Sequence, residues 1–299
     1  MLTHGQPEAC QTGRVVVFGG TGFIGRHLVA TLRAGGQDVI DVGSRDLDLE
    51  GPEAKARVHA LLEPTDTVVM LSALTPRFGR DVRTLCRNLE MAEPLCAALA
   101  DKPVAHVVYA SSDAVYAMGT DAVIDEGTPA APTDLYGLMH RTREVMFGAA
   151  VRKTSLAIVR PTMVIGPGDP HGSYGPGRFL SEACTRRKIT LGGEGADRRD
   201  YVYVADVASL LQTIILRRSY GTLNIASGIS HTARDVAMAI EKVIGIPIEI
   251  CYQPRAGAAT SRNFNITSLS RAFPDFEFTS LSQALSLTLL HRQQAASPP

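Results

Sequence analysis

The chain has 299 residues, 45% of them apolar and 20% charged, enough to bury a full core and too apolar for a disordered or fibrous protein. Thirty basic residues balance thirty acidic ones, so no net field draws nucleic acid or an anionic membrane, and small-molecule partners are expected. Cys10, Cys86, Cys96, Cys184 and Cys251 are odd in number and form no CxxC pair, which argues against a disulfide framework and for a reducing, cytoplasmic compartment. The N-terminal segment lacks the apolar core of a signal peptide, and the longest apolar run, TVVMLSAL, is too short to span a bilayer. The first dozen residues and the closing RQQAASPP read as frayed tails. The histidines lack metal-ligand spacing, so no metal is expected, and no GxSxG elbow supports a hydrolase.

From Arg14 onward, short β-branched runs alternate with longer amphipathic stretches: RVVVFGG, a helix from about Gly22 to Arg33, QDVIDVGS, a helix near Pro52 to Leu62, then DTVVMLSA. A long helix containing LCRNLEMAEPLCAALA, the strand AHVVYASS, a helix around Tyr136 and the strand LAIVRPTMVIG follow. Strands whose apolar positions run on without alternation are buried on both faces, as in a parallel sheet covered by helices. The expected class is α/β, a doubly wound parallel sheet over residues 14–165. After Gly166, glycine and proline crowd into GPGDPHGSYGPGRF, and the rest, 166–299, reads as a smaller C-terminal α+β lobe for substrate. In that lobe RDYVYVADV, GTLNIAS and PIEICYQP are strands and Ala233 to Val243 a helix; the strand near 200–206 is the one expected to return to the main domain.

In VVVFGGTGFIGRHLV, Gly19, Gly22 and Gly25 stand between a buried strand and a helix, with Phe23 and Ile24 among them. Such glycines permit a tight turn, close approach to a pyrophosphate and close helix packing, and the helix N-terminus offers free N–H groups. The third strand ends at Ser72 and Ala73, on the same side. At the end of the second strand an NAD site wants an acid, and Gly43, Ser44 and Arg45 stand there instead. A hydroxyl and a guanidinium suit a 2′-phosphate, so NADP is expected ahead of NAD. Asp41, two residues earlier, is the alternative ribose acid.

DLYGLMHRTREVM reads as the start of an amphipathic helix, with Asp134 as N-cap, Leu138, Met139, Val145 and Met146 as apolar positions, and Tyr136 and His140 one turn apart.

Together these segments resemble the extended short-chain dehydrogenase/reductase family of nucleotide-sugar epimerases, dehydratases and reductases, from about Arg14 to Leu285. The resemblance implies a Rossmann sheet. VVYASSDAVYA resembles the catalytic-serine strand, giving Ser112 with Asp113 beside it, and Tyr136 matches the tyrosine of YxxxK. RPTMVIGP resembles the substrate-binding turn, which carries Met163. RRDYVYVADVA and PRAGA resemble segments whose arginines, Arg199 and Arg255, contact a nucleotide diphosphate. GSRDLDLEG is most similar to NADP-using reductases, which places Asp48 and Leu49 beside the adenine. The implied substrate is a nucleotide-diphosphate sugar, and the implied assembly a homodimer through the helices holding Asn88 to Leu99 and Tyr136 to Phe147.

Three departures from the family pattern matter. His140 stands in place of the lysine, Met163 in place of an asparagine, and Asp113-Ala114 in place of the dehydratases' Asp-Glu, which makes 4,6-dehydration an unexpected reaction. Three readings of His140 are open: it binds the ribose as the lysine does and charges when needed; it marks a ketone reductase that needs Tyr136 only as a neutral donor; or it marks a non-catalytic NADP-binding sensor. Each residue also has a plain structural reading: Ser112 as a turn cap, Tyr136 as a core-edge aromatic, Arg45, Arg199 and Arg255 as solvated charges, His171 as a solvent-facing loop residue. The function expected first is reduction of a keto group, at C4, of a nucleotide-linked sugar, with Ser112, Tyr136 and His140 as the catalytic group; 4-epimerisation with retained NAD(P) is the alternative.

Overall fold

The computed structural model of the protein describes residues 1–119, 122–170 and 175–296. β1 (Val15–Phe18) is wholly buried, and α1 (Phe23–Ala34) turns Gly25, Leu28, Val29 and Leu32 inward at helical spacing. The alternation continues with β2 (Val39–Val42), α2 (Ala54–Leu61), β3 (Thr67–Met70), α3 (Val82–Asp101) and β4 (His106–Ala110). A two-residue β5 (Val123–Ile124) precedes α4 (Leu135–Ala150) and β6 (Ser155–Pro161). Then come β7 (Met163–Ile165), α5 (Gly175–Arg186), β8 (Lys188–Gly192), β9 (Arg198–Tyr203), α6 (Val204–Leu216) and β10 (Gly221–Ile225). The chain closes with β11 (Ser230–Thr232), α7 (Ala233–Ile244), β12 (Glu249–Gln253), β13 (Asn263–Phe264), α8 (Thr267–Ala272) and α9 (Leu281–Ala296).

Six strands pair in parallel in the order β10-β6-β4-β3-β1-β2. The sheet is apolar on both faces: one core cluster joins α1 and α6 to it, another joins α2, α3 and α4. The chain leaves β1 toward β2 on one side and toward β3, β4, β6 and β10 on the other. The resulting switch point lies at the carboxyl ends of β1 and β3, where an open α/β sheet binds its ligand. A third core cluster, with α5, α7 and α9, belongs to a lobe built on β11-β9-β7 and β12-β8.

The division after Gly166 differs from the expected one. The strand that rejoins the main sheet is β10, beside β6, and α6 packs on α1, where the Gln212 side-chain amide donates to the Thr31 carbonyl at 3.1 Å. β9 stays with β7 and β11. Periodicity cannot choose a strand's partner, and nothing in GTLNI marks it for the main sheet. The stretch LAIVRPTMVIG is also two strands: at Thr162 the backbone N–H bonds Ile225 and the hydroxyl donates to buried Asp200 at 3.0 Å, so β7 leaves β6 for β9.

The tails are corrected too. Thr3 exchanges two backbone bonds of 2.8 Å with Tyr220, and His4 bonds the Ser219 hydroxyl and the Ala272 carbonyl, both at 2.8 Å. The N-terminus is pinned beside β10, because its few polar groups find buried partners that composition does not reveal. At the other end α9 carries the chain to Ala296.

Candidate active site

Four segments converge at the carboxyl ends of β1, β3 and β4 and on the first turns of α4. They line a cavity of about 530 Å³, a size suited to a dinucleotide's reactive end and a small substrate. Gly19, Gly22, Phe23, Ile24 and Gly25 form one wall, and Ser44, Ser72 and Ala73 also line the cavity. Ser112, Asp113, Tyr136, His140 and Met163 face them. A Cβ on Gly25 would lie 2.1 Å from the Gly19 carbonyl oxygen, so α1 can come this close to its own turn only with glycine there.

Ser112 ends the segment after β4, and its hydroxyl both accepts from the Ala114 N–H at 3.1 Å and donates to Asp113 at 3.3 Å. The turn-capping role and the cavity-lining position therefore coexist. Asp134 caps α4 by accepting from the Gly137 N–H at 2.8 Å. A Cβ on Gly137 would lie 2.1 Å from the Ala114 carbonyl, so the helix is pressed against the serine's turn, bringing Tyr136 to the serine's side of the cavity. Of the apolar positions named on α4, Met139 is buried, whereas Leu138 and Val145 are exposed.

The buried face of α4 instead carries His140, Arg143 and Glu144. His140 is 3% exposed, its ring meets Tyr136 edge-on at 4.7 Å, and its Nδ1 lies 2.9 Å from the Tyr109 hydroxyl. Burial, with the Arg143 guanidinium acting the same way, holds the imidazole down at about 3, so it is neutral at working pH. Its Nε2 is buried with no hydrogen-bond partner. Glu144 accepts two bonds from Arg160, at 2.8 and 2.7 Å, and one from Ser111 at 2.7 Å. Burial favours its neutral form, but Arg160 prevails and the carboxyl is lowered. Arg160 also donates to Tyr116, whose hydroxyl donates to Asn224, so β4, α4, β6 and β10 are tied behind the site.

Other expected residues lie further off. Arg45 and Asp48 are exposed, and Leu49 packs into the core beside α2. Asp41 lies within β2 with its Oδ1 buried against Gly20 and unpartnered, and it does not line the cavity. Arg199 and Arg255 are brought together outside the cavity wall: Arg255 pairs with Asp197, and Arg199 bonds Thr260, whose hydroxyl in turn bonds Asp197. His171 lies outside the described residues. Sequence reading missed Arg143, seven residues after Tyr136 and so on the same helix face. It also missed Tyr109, which reads as an ordinary strand aromatic.

A glycine cradle at the switch point, an uncapped helix N-terminus and a buried, unpartnered imidazole nitrogen fit a nicotinamide dinucleotide. With a serine and a tyrosine on the facing wall, they define an oxidoreductase-type site on a Rossmann sheet. The chain belongs to the NAD dependent epimerase/dehydratase family, whose profile matches residues 15–226. It is 26% identical to the dTDP-4-dehydro-6-deoxy-D-allose reductase of Streptomyces bikiniensis, across 92% of this chain and 94% of that one. Its fold matches MoeE5 in complex with UDP-glucose and NAD, with a TM-score of 0.83, 25% identity, and coverage of 95% of this chain and 100% of that one. It also matches the UDP-glucose 4-epimerase of Thermus thermophilus in complex with NAD, with a TM-score of 0.82, 26% identity and the same coverage.

Proposed function

We propose that the protein reduces a keto group, at C4, of a nucleotide-linked sugar, and that it prefers NADPH. The observation that carries this reading is the presence of Ser112 and Tyr136 on one cavity wall, opposite the glycine loop. A bound nicotinamide would supply the hydride. The loop from Gly19 to Gly25 would hold the pyrophosphate, Ser72 and Ala73 would flank the cofactor, and the His140 Nε2 would bond its ribose. Ser112 donates a hydrogen bond to the substrate's carbonyl oxygen; Tyr136 then gives that oxygen its proton. Reduction asks only for a neutral phenol at the start, which suits a site whose imidazole is uncharged.

Support for NADP comes from Ser44 at the cavity, from Arg45 free to solvent beside it, and from Asp41 facing Gly20 instead of the cavity. Arg199 and Arg255 are assigned to the substrate's diphosphate, a role that requires the Arg255–Asp197 pair to open. A second copy would pack on α3 and α4, whose exposed Val82, Leu138 and Val145 offer an apolar face. No helix among the described residues is long and apolar enough to cross a membrane, and all five cysteines are free, which supports a reducing compartment.

The test is to offer dTDP- and UDP-linked 4-keto sugars with NADPH and to follow both the sugar and the reduced-nicotinamide absorbance. One cofactor oxidised per sugar reduced is expected. Interconversion of 4-hydroxy sugars without net cofactor change would establish the epimerase instead.

A further inference from the structure

The position where the family resemblance places a lysine cation holds a neutral imidazole, yet the site is not without positive charge. Arg143 stands one turn beyond His140 on the same face of α4 and is 0% exposed. Its Nη1 donates to the Ser72 carbonyl at 2.9 Å, and its guanidinium lies 5.4 Å over the Tyr109 ring. Its Nε and Nη2 are buried with no hydrogen-bond partner, and no ion pair to it occurs among the described residues. The neighbouring Glu144 is taken up by Arg160 and Arg141. A buried guanidinium lacking a carboxylate is costly to the fold.

The bond between Tyr109 and His140 fixes the rest. The Tyr109 hydroxyl is buried, burial keeps it protonated, and among the described residues its acceptor is the His140 Nδ1. Its proton therefore goes to Nδ1, and the imidazole's own hydrogen sits on Nε2, the buried, unpartnered nitrogen of a cavity-lining residue.

We propose that the work of the absent lysine is divided between two residues: Arg143 supplies the fixed positive charge that favours the Tyr136 phenolate as the proton leaves, and His140 supplies a neutral Nε2–H donor whose tautomer Tyr109 sets. Arg143 is thus a positioning residue, acting on Tyr136 through its field and on the cofactor side through the Ser72 carbonyl. The proposal rests on Tyr136 being the proton donor of the reading above. The other ionisable groups around this cluster are Tyr109 on β4, Cys96 and Glu93 on α3, Glu144 on α4 and its partner Arg160 on β6. Asp113 (paired with Arg262), Asp134, Arg77, Arg80, Asp81 and Asp169 line the two adjoining cavities that Tyr136 also lines.

The experiment is a tyrosinate absorbance titration of the folded full chain, with and without NADP, in which subtraction of the Tyr136→Phe profile isolates Tyr136. Arg143→Met is expected to raise its midpoint by a unit or more. Arg143→Gln, which retains a donor for Ser72, should do the same, while Arg143→Lys and His140→Gln should each move it by less than half a unit. Because the charge is unpaired, Arg143→Met should also melt higher than wild type. An unmoved midpoint in both neutral variants, a shift in His140→Gln as large as in Arg143→Met, or failure of both neutral variants to fold would overturn the proposal. No sugar is present in the titration, so an inactive reductase with a shifted midpoint would refute the substrate reading and leave this one standing.

Discussion

The Tyr109 hydroxyl and the His140 Nδ1 lie 2.9 Å apart in a place where neither meets water. Burial and Arg143 keep His140 neutral, this contact orients its ring, and several expectations depend on the two together.

Restoring the family's lysine should harm this protein. His140→Lys puts an ammonium one turn from the unpaired guanidinium of Arg143, so two buried like charges share one pocket. The variant should melt lower than wild type, and adding Arg143→Met should recover most of the loss. A double variant no more stable than His140→Lys alone would show that the two positions are not coupled.

His140→Ala removes the Nε2–H donor and strands the Tyr109 hydroxyl, which costs about 1–3 kcal/mol of stability for a buried unsatisfied group. Calorimetry should show NADPH bound about tenfold more weakly, the worth of one hydrogen bond. Tyr136→Phe, by contrast, should bind cofactor normally and turn over about 10²- to 10⁴-fold more slowly. Normal binding with no turnover in the wild type itself would instead identify a sensor.

Acid stability should report the same imidazole. His140, held at about 3, and His106, held at about 4 by burial, fold neutral, while the unfolded chain protonates them below about 6.5. Their contribution is present above that pH and is lost as pH falls toward 4 and then 3. Asp200 works the other way: burial raises it to about 6, so its cost is felt above pH 6 and vanishes below its ordinary value. The unfolding free energy from urea titrations between pH 6.5 and 4 should fall less steeply for His140→Gln than for wild type, by about 1.4 kcal/mol per pH unit.

The tie between Glu144 and Arg160 is buried on both sides, so breaking it from one end is severe. Glu144→Ala should lose about 3–5 kcal/mol in denaturant unfolding, because Arg160 is left charged and unpaired.

Cofactor choice is tested at Arg45. Arg45→Ala should weaken NADPH binding about 10- to 100-fold, the range of a charge-assisted hydrogen bond, and leave NADH nearly unchanged. Equal effects on both cofactors would mean that the guanidinium does not read the 2′-phosphate.

Much of this molecule was legible in its residues. Val15 to Phe18 and Thr67 to Met70 are buried on both faces, so their unbroken apolar runs announce a parallel sheet, and Gly25 announces the close turn at its edge. What stayed hidden depends on partners far away in sequence. The short run at Gly221 to Ile225 carries no mark of joining β6, and Thr3 no mark of meeting Tyr220. Arg143 and Glu144 break the rule that charges face water, so a pattern reader assigns them to the surface and looks for the core at Leu138 and Val145. At position 140 the identity of the residue was plain; its neutrality came only from the depth of burial and from Arg143.

Arg262, at the threshold of β13, reaches back 149 residues to Asp113, bonding both its carbonyl and its carboxylate, and also holds the Tyr116 carbonyl. The turn bearing Ser112 is thus fastened from two directions, by its own strand and by the tail of the lobe that carries Arg255. That makes Arg262 a tie rod: a buried guanidinium joins the turn that carries Ser112 to the lobe segment that follows Arg255.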